Sequence, residues 1–340
     1  MKKYRFFTRL LVLMLNLTAL SCSTEGALQQ VLGKSAEPPV FLDCRPVSST
    51  EMVFTFSQAV KVKSLYFDPP LEVKSIDGGE EVTVIFARQL EEGKKVTADI
   101  IVEDSGMNTL NVVVPFRARN DRMPTLVFNE IRTEYSKPKV EFVEFISRGA
   151  GNLGAMRLFV AGQSLTTPVY EFPPVEVATG EYIVLHLRTV EEDCLDETGT
   201  NLALSGGTDA HSEARDFWLP GAKKLLHKTD ALWLMDQDGK IIDAVLLSEK
   251  NDTKWSSDKV AEAANLFGKE KAWLPLNGEK AEWSPGPSDA VIAAWTSNTR
   301  TICRDDTLPI KPCAGNWYIT ANSSATPGKP NNTKRYEPKS

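Results

Sequence analysis

The sequence predicts an all-β protein, two tandem β-sandwiches behind an export leader. Three observations carry that expectation. Short runs rich in Val, Ile, Phe and Tyr recur through 38–118 and again through 124–332, punctuated by Gly, Pro, Asn and Asp, as antiparallel strands and their turns require. One stretch, 257–267, is the helical candidate. With 340 residues, 42% hydrophobic and 25% charged, the chain is long enough for two ordinary domains and has a folded rather than a disordered composition.

The leader comes first. Lys2, Lys3, Arg5 and Arg9 precede an apolar core at 10–20, and Ala19-Leu20-Ser21 places small residues ahead of Cys22. This order resembles a bacterial lipoprotein signal peptide, with Ala19 where leucine is common. The resemblance implies removal of 1–21, lipidation of Cys22 and a membrane partner reached through the N-terminal lipid, in the bacterial cell envelope. Four of the 39 basic residues lie in 1–21, which leaves 35 basic against 45 acidic residues, a net charge of −10. That balance opposes a general nucleic-acid binder. Residues 22–37 are small and polar and are expected to form a tether. Gly33-Lys34-Ser35 is not a phosphate loop, because Leu28 stands where its first glycine belongs. After the leader no run reaches the length of a membrane-spanning helix.

In 38–118 the runs Val53-Phe54-Thr55-Phe56, Val82-Thr83-Val84-Ile85-Phe86, 96–102 and 112–116 read as strands, with Asp77-Gly78-Gly79 as a hairpin turn. The words Phe56-Ser57-Gln58-Ala59-Val60, Leu90-Glu91-Glu92-Gly93 and Glu103-Asp104-Ser105-Gly106-Met107-Asn108 resemble bacterial immunoglobulin-like repeats of surface proteins, which implies a spacer module. The polar stretch 117–123 then reads as a short link.

The second domain is expected over 124–332, followed by a tail at 333–340. It opens on Asn129-Glu130-Ile131 and Glu141-Phe142-Val143-Glu144-Phe145-Ile146. It continues through Tyr170-Glu171-Phe172-Pro173-Pro174, Gly180-Glu181-Tyr182-Ile183-Val184-Leu185 and the hairpin-like 230–243, and ends on Ala325-Thr326-Pro327-Gly328-Lys329-Pro330-Asn331. These words resemble the lamin-tail domain. The resemblance implies an immunoglobulin-like β-sandwich and a role in tethering or interaction with a protein partner, with Leu153-Gly154-Ala155-Met156 standing where the family often has a tryptophan. Two features interrupt the strand rhythm. One is an insertion at 189–222, acidic at Glu191, Glu192, Asp193, Asp196 and Glu197. The other is the helix at 257–267, capped by Ser257 or Asp258 and expected to stop at Gly268. Trp273, Trp283 and Trp295 follow and are expected to cover sandwich edges rather than to form a sugar-binding platform.

Chemistry-bearing residues are sparse. His186, His211 and His227 make no tight ligand spacing, and no Gly-x-Ser-x-Gly elbow occurs. Asp209, His211, Glu213 and Asp216 are the weak metal candidates, of which a solvated acidic loop is the simpler account. Asp236-Gln237-Asp238-Gly239 reads as a turn rather than a calcium loop, because Leu247 occupies the twelfth position where a glutamate is required. Export makes a Cys303–Cys313 disulfide the natural pairing, while Cys44 and Cys194 are expected to stay free. No catalytic residue and no cofactor are expected. The expected function is a membrane-anchored, non-catalytic binding or scaffolding module, with the insertion as its contact surface through Phe217, Trp218 and Leu219. The alternative is a metal-dependent hydrolase, of nuclease or phosphoesterase type, that uses the acidic insertion.

Overall fold

The structure is a computed structural model and describes residues 37–276 and 283–338. The expected signal peptide, Cys22 and nearly all of the expected tether lie outside the described residues. The chain is all-β: nineteen strands and a single α-helix among the described residues, divided between two compact units, the first of which ends at Ala118.

The first unit is one antiparallel sheet of six strands: β1 (Phe41–Ser48), β2 (Glu51–Asp68), β3 (Val73–Asp77), β4 (Gly79–Phe86), β5 (Lys95–Asp104) and β6 (Thr109–Arg117). Its organiser is β2. The first part of this 18-residue strand pairs with β1 and β4, and from Val60 onward it pairs with β5. All six strands are therefore joined in one ladder through β2, where the sequence predicts a sandwich. Period-2 alternation aims Met52, Phe54, Phe56, Val82, Val84, Ala98, Ile100 and Val102 into the core. Two of the edge strands carry prolines, Pro46 in β1 and Pro115 in β6, which denies neighbouring chains a donor there. Asp104 accepts hydrogen bonds from the Asn108 amide (2.9 Å), the Asn108 side chain (2.8 Å) and the Gln58 side chain (2.8 Å). Two of the repeat-like words are thus one hydrogen-bonded corner.

The second unit packs two sheets over one core. The larger has the order β14-β13-β8-β7-β18-β19, formed by β7 (Leu126–Arg132), β8 (Phe142–Ser147), β13 (Tyr182–His186), β14 (Ala214–Trp218), β18 (Ile302–Arg304) and β19 (Trp317–Ile319). The other runs β11-β10-β15-β16-β17, with β10 (Arg157–Val160), β11 (Tyr170–Glu171), β15 (Asp230–Met235), β16 (Ile241–Ser248) and β17 (Val291–Ile292). A small ladder joins β9 (Gly151–Asn152) to β12 (Glu176–Val177). Phe128, Val143, Phe145, Ile183, Leu185, Phe217, Leu232, Trp233 and Val245 all belong to the shared core.

Two strands pair in parallel, β14 with β13 and β17 with β16. A parallel pair cannot be closed by a tight turn and needs a crossover of a dozen or more residues. The crossovers are the two stretches that break the strand rhythm in the sequence: the insertion leads into β14, and the segment bearing helix α1 (Asp258–Lys269) leads into β17. Helix α1 buries Val260, Ala263, Ala264 and Phe267, and Phe267 packs edge-on against Trp233 with ring centroids 5.7 Å apart. It does not stop at Gly268 as expected but runs on to Lys269. Gly268 answers a close approach instead, since a Cβ there would meet the Trp283 carbonyl at 2.2 Å.

Candidate functional site

β7, β8 and β14 are buried at every residue, so the larger sheet is covered on both faces. One face meets the apolar core. The other carries Glu130, Arg132, Glu144, His186 and Asp216, and it is covered by the insertion and by a C-terminal strap at 321–336. This face is where the polar words of the sequence meet.

Glu130 and Glu144 are paired across β7 and β8, and both are 0% exposed. Glu130 accepts from the Thr326 amide (3.1 Å), the Thr326 hydroxyl (3.0 Å) and the Thr301 hydroxyl. Glu144 accepts from the Asn129 side chain (2.6 Å) and the Gly328 amide (2.5 Å). Asn331 donates to the Asn129 side chain (3.0 Å) and to the Arg304 carbonyl (2.9 Å). The opening and closing words of the lamin-tail resemblance are therefore the two halves of a clasp that holds the strap down. Burial pushes both carboxyls up, Glu144 well above the usual range, with the Glu130 charge adding to the effect; around Glu130 the Thr301 and Thr326 hydrogen bonds and Arg132 oppose it. With no solvent-reachable surface, the pair is placed to hold the chain and not to meet a substrate. A second buried tie crosses between the sheets: Arg304 donates to Asp243 (2.5 Å) and to the Phe128 carbonyl (2.6 Å), with its guanidinium 4.5 Å from the Trp317 ring centroid.

The insertion overturns the expected contact surface. Phe217 is 0% exposed and sits in the shared core, Trp218 is 6% exposed, and Leu219 is half-buried against the core. Trp218 stacks on His186 with ring centroids 3.6 Å apart, and its indole N–H donates to the Ser205 hydroxyl at 2.8 Å. Gly207 makes room for that ring, because a Cβ would stand 2.2 Å from it. The physical reason is the parallel pairing, which needs an apolar strand in β14 and so draws the aromatics inward. The acidic residues serve the same end. Asp196 accepts from the Trp218 amide (2.7 Å) and Glu197 from the Asp216 amide (2.9 Å). They occupy the outward donors of an edge strand, the groups that would otherwise recruit another chain.

The weak metal candidates are brought near one another but are spoken for singly. Asp209 is ion-paired with Arg132. Asp216 accepts from the His211 amide (3.0 Å) and faces His186 Nε2 at 2.7 Å. His211 takes a hydrogen bond from the Glu213 amide at 3.3 Å. Among the described residues no group of three or more His, Cys, Asp or Glu side chains could hold a metal ion. The Cys303–Cys313 disulfide is not formed, and all four described cysteines are free thiols. Cys303 lies on β18, paired to Glu130 and 3.8 Å from the Thr301 hydroxyl, whereas Cys313 precedes a 3-10 turn and faces Asn316 at 3.5 Å. Their closeness in sequence does not aim the two sulfurs at one another.

At the opposite edge of the sheet, beside β19, lies an open groove of about 450 Å³ whose walls include Trp295, Trp317, Tyr318 and Tyr336. Trp273 is sealed and Trp283 packs against the core, but Trp295 stays 45% exposed. The strap supplies part of the wall. It returns along β19, where the Tyr336 amide donates to the Ile319 carbonyl at 2.8 Å and the Ala321 amide to the Lys334 carbonyl at 2.9 Å. Arg335 lies 4.6 Å from the Tyr318 ring centroid and pairs with Asp305, and Arg300 lies 4.2 Å from that of Tyr336. Sequence reasoning set Trp295 down as edge cover and did not assemble this groove, because the lining comes from four separated segments with no shared period. The available signals were the adjacent aromatics Trp317-Tyr318 and the Arg335-Tyr336 pair.

Residues 124–319 match the family model TP_1001_2nd, described as a protein second domain. An uncharacterized protein of Treponema pallidum (strain Nichols) is 27% identical to this chain over 223 residues, which cover 61% of this chain and 55% of the relative. The match thus spans about half the length of that relative.

Proposed function

We propose, of a chain that belongs to the TP_1001_2nd family through a match over more than half its length, that it is an exported, Cys22-lipidated, non-catalytic binding module that works through the aromatic groove at the β19 edge. The observation that carries this reading is the contrast in aromatic burial. Every tryptophan and phenylalanine of the insertion is buried, while Trp295 is left open in a concave, aromatic-walled groove. Concave sites with aromatic walls and a few polar groups are where ligands bind, and exposed aromatics are the usual anchors of recognition. Among the described residues no helix is long and apolar enough to cross a membrane, so membrane attachment in this reading rests on the lipid at Cys22.

Two measurements test the reading. Cys22→Ala should release the protein from cell membranes and abolish palmitate labelling; unchanged labelling would remove the anchor. For the groove, peptides, oligosaccharides and phosphate esters should be screened by thermal shift, with Trp295→Ala as control. At least one class should bind the parent chain and not the variant. Metal-dependent turnover of a phosphate ester would sink the non-catalytic reading.

A further inference from the structure

We infer that the β19 groove takes a neutral saccharide, an inference that rests on the groove being the contact surface proposed above. The wall is an angled aromatic pair: the Trp295 and Tyr336 rings lie 5.9 Å apart at 39°. An aromatic face complements the C–H-bearing face of a sugar ring, and the hydroxyls around that ring need donors and acceptors, which Arg335 and Ser288 supply in the groove lining. Charge narrows the class. Arg335 is the one charged residue of the lining, and its charge is already met by Asp305. An anionic ligand would have to displace that carboxylate, whereas a neutral polyol would leave the pair intact.

Backbone geometry argues against a peptide. A peptide reads a sheet edge by adding a strand, which needs free amides and carbonyls. The strap occupies that edge where β19 ends, through the Thr320–Arg335 bridge and the Tyr336-to-Ile319 hydrogen bond, so an added strand would have to displace it there. What the edge still offers is side-chain faces, and these suit a ring rather than an extended backbone.

The test uses the folded chain with three probes: neutral hexose and N-acetylhexosamine oligosaccharides, a sulfated oligosaccharide and a proline-rich peptide. Calorimetric titration should show saturable binding of at least one neutral oligosaccharide, insensitive to salt up to about 0.5 M. Trp295→Ala and Tyr336→Ala should each weaken it about tenfold or more without lowering Tm, and Trp295→Phe should recover part of the loss. Trp295-dependent binding of only the sulfated or the peptide probe would overturn the saccharide class while keeping the groove as a contact surface. No Trp295-dependent binding of any probe would overturn both.

Discussion

At one edge of the six-stranded sheet β14 carries Phe217 and Trp218, and at the other β19 carries Trp317 and Tyr318. Each edge must hide a row of free backbone groups, and each does so with different means. Beside β14, the side chains of Asp196 and Glu197 take the outward amides, and the insertion folds over the aromatics. Beside β19, the strap pairs its own backbone with Ile319 and Ala321 at the strand's end, and side chains such as Trp295 and Tyr336 are left to form a groove. An edge closed by side chains consumes the surrounding loop, whereas an edge closed by backbone leaves side-chain surface over. That difference is why the longest insertion is a structural element while the candidate site is assembled from shorter, less conspicuous segments.

The sharpest way to break this comparison is to excise 195–216 and bridge the ends with a short Gly/Ser link. The excision removes part of β14, the partner of Arg132 and the partner of His186. Circular dichroism of the second unit should lose its cooperative thermal transition. An unchanged transition would return the insertion to the status of a free loop. Next in size is Trp218→Ala, which deletes a buried, stacked ring and should cost about 3–5 kcal/mol in urea unfolding.

A smaller effect probes the clasp. Glu130 and Glu144 keep protons beyond the ordinary carboxyl range of about 4.3, so the folded state binds more protons than the unfolded one. Their contribution is fully present below that range and is lost as pH rises through the raised folded values. The second unit should therefore unfold at lower urea at pH 8 than at pH 5, and Glu144→Gln should flatten that slope. Hydrogen exchange in the strap should accelerate with pH before exchange in β14 does, since the strap alone hangs on both carboxyls. The smallest change is expected for Trp295→Ala, within about 0.5 kcal/mol of the parent. A destabilisation as large as that of Trp218→Ala would mean that Trp295 is a packing residue and the two edges are alike.

Strand existence was legible because half-buried strands write a period of two. In β5, Val96, Ala98, Ile100 and Val102 alternate with exposed or half-buried neighbours, and the core follows the alternation. The helix was legible for the same kind of reason, but Ser257 precedes it without a side-chain cap bond, and its end was misplaced because Gly268 answers a contact with the Trp283 backbone that no local pattern shows. The candidate site was almost wholly illegible. Its two facing aromatics, Trp295 and Tyr336, are 41 positions apart, and neither looks different in sequence from the buried aromatics around it.

By itself the sequence determined the all-β class and the position of the strands with a clear alternation, such as β4 and β5, since both depend on residues a few positions apart; β14, inside the insertion, and the short β18 and β19 were not legible. The tertiary structure decided which aromatics are buried and which remain open. It also decided that two glutamates in apolar strands hold a strap, and that two cysteines ten positions apart face different neighbours. Those outcomes depend on which strand becomes an edge and on what covers it. Pairing partners are chosen over tens to hundreds of residues: Glu130 meets Thr326 and Glu144 meets Gly328. No local pattern carries that information, and so the same Phe-Trp pair could read as an exposed anchor in the sequence and fold as part of a core.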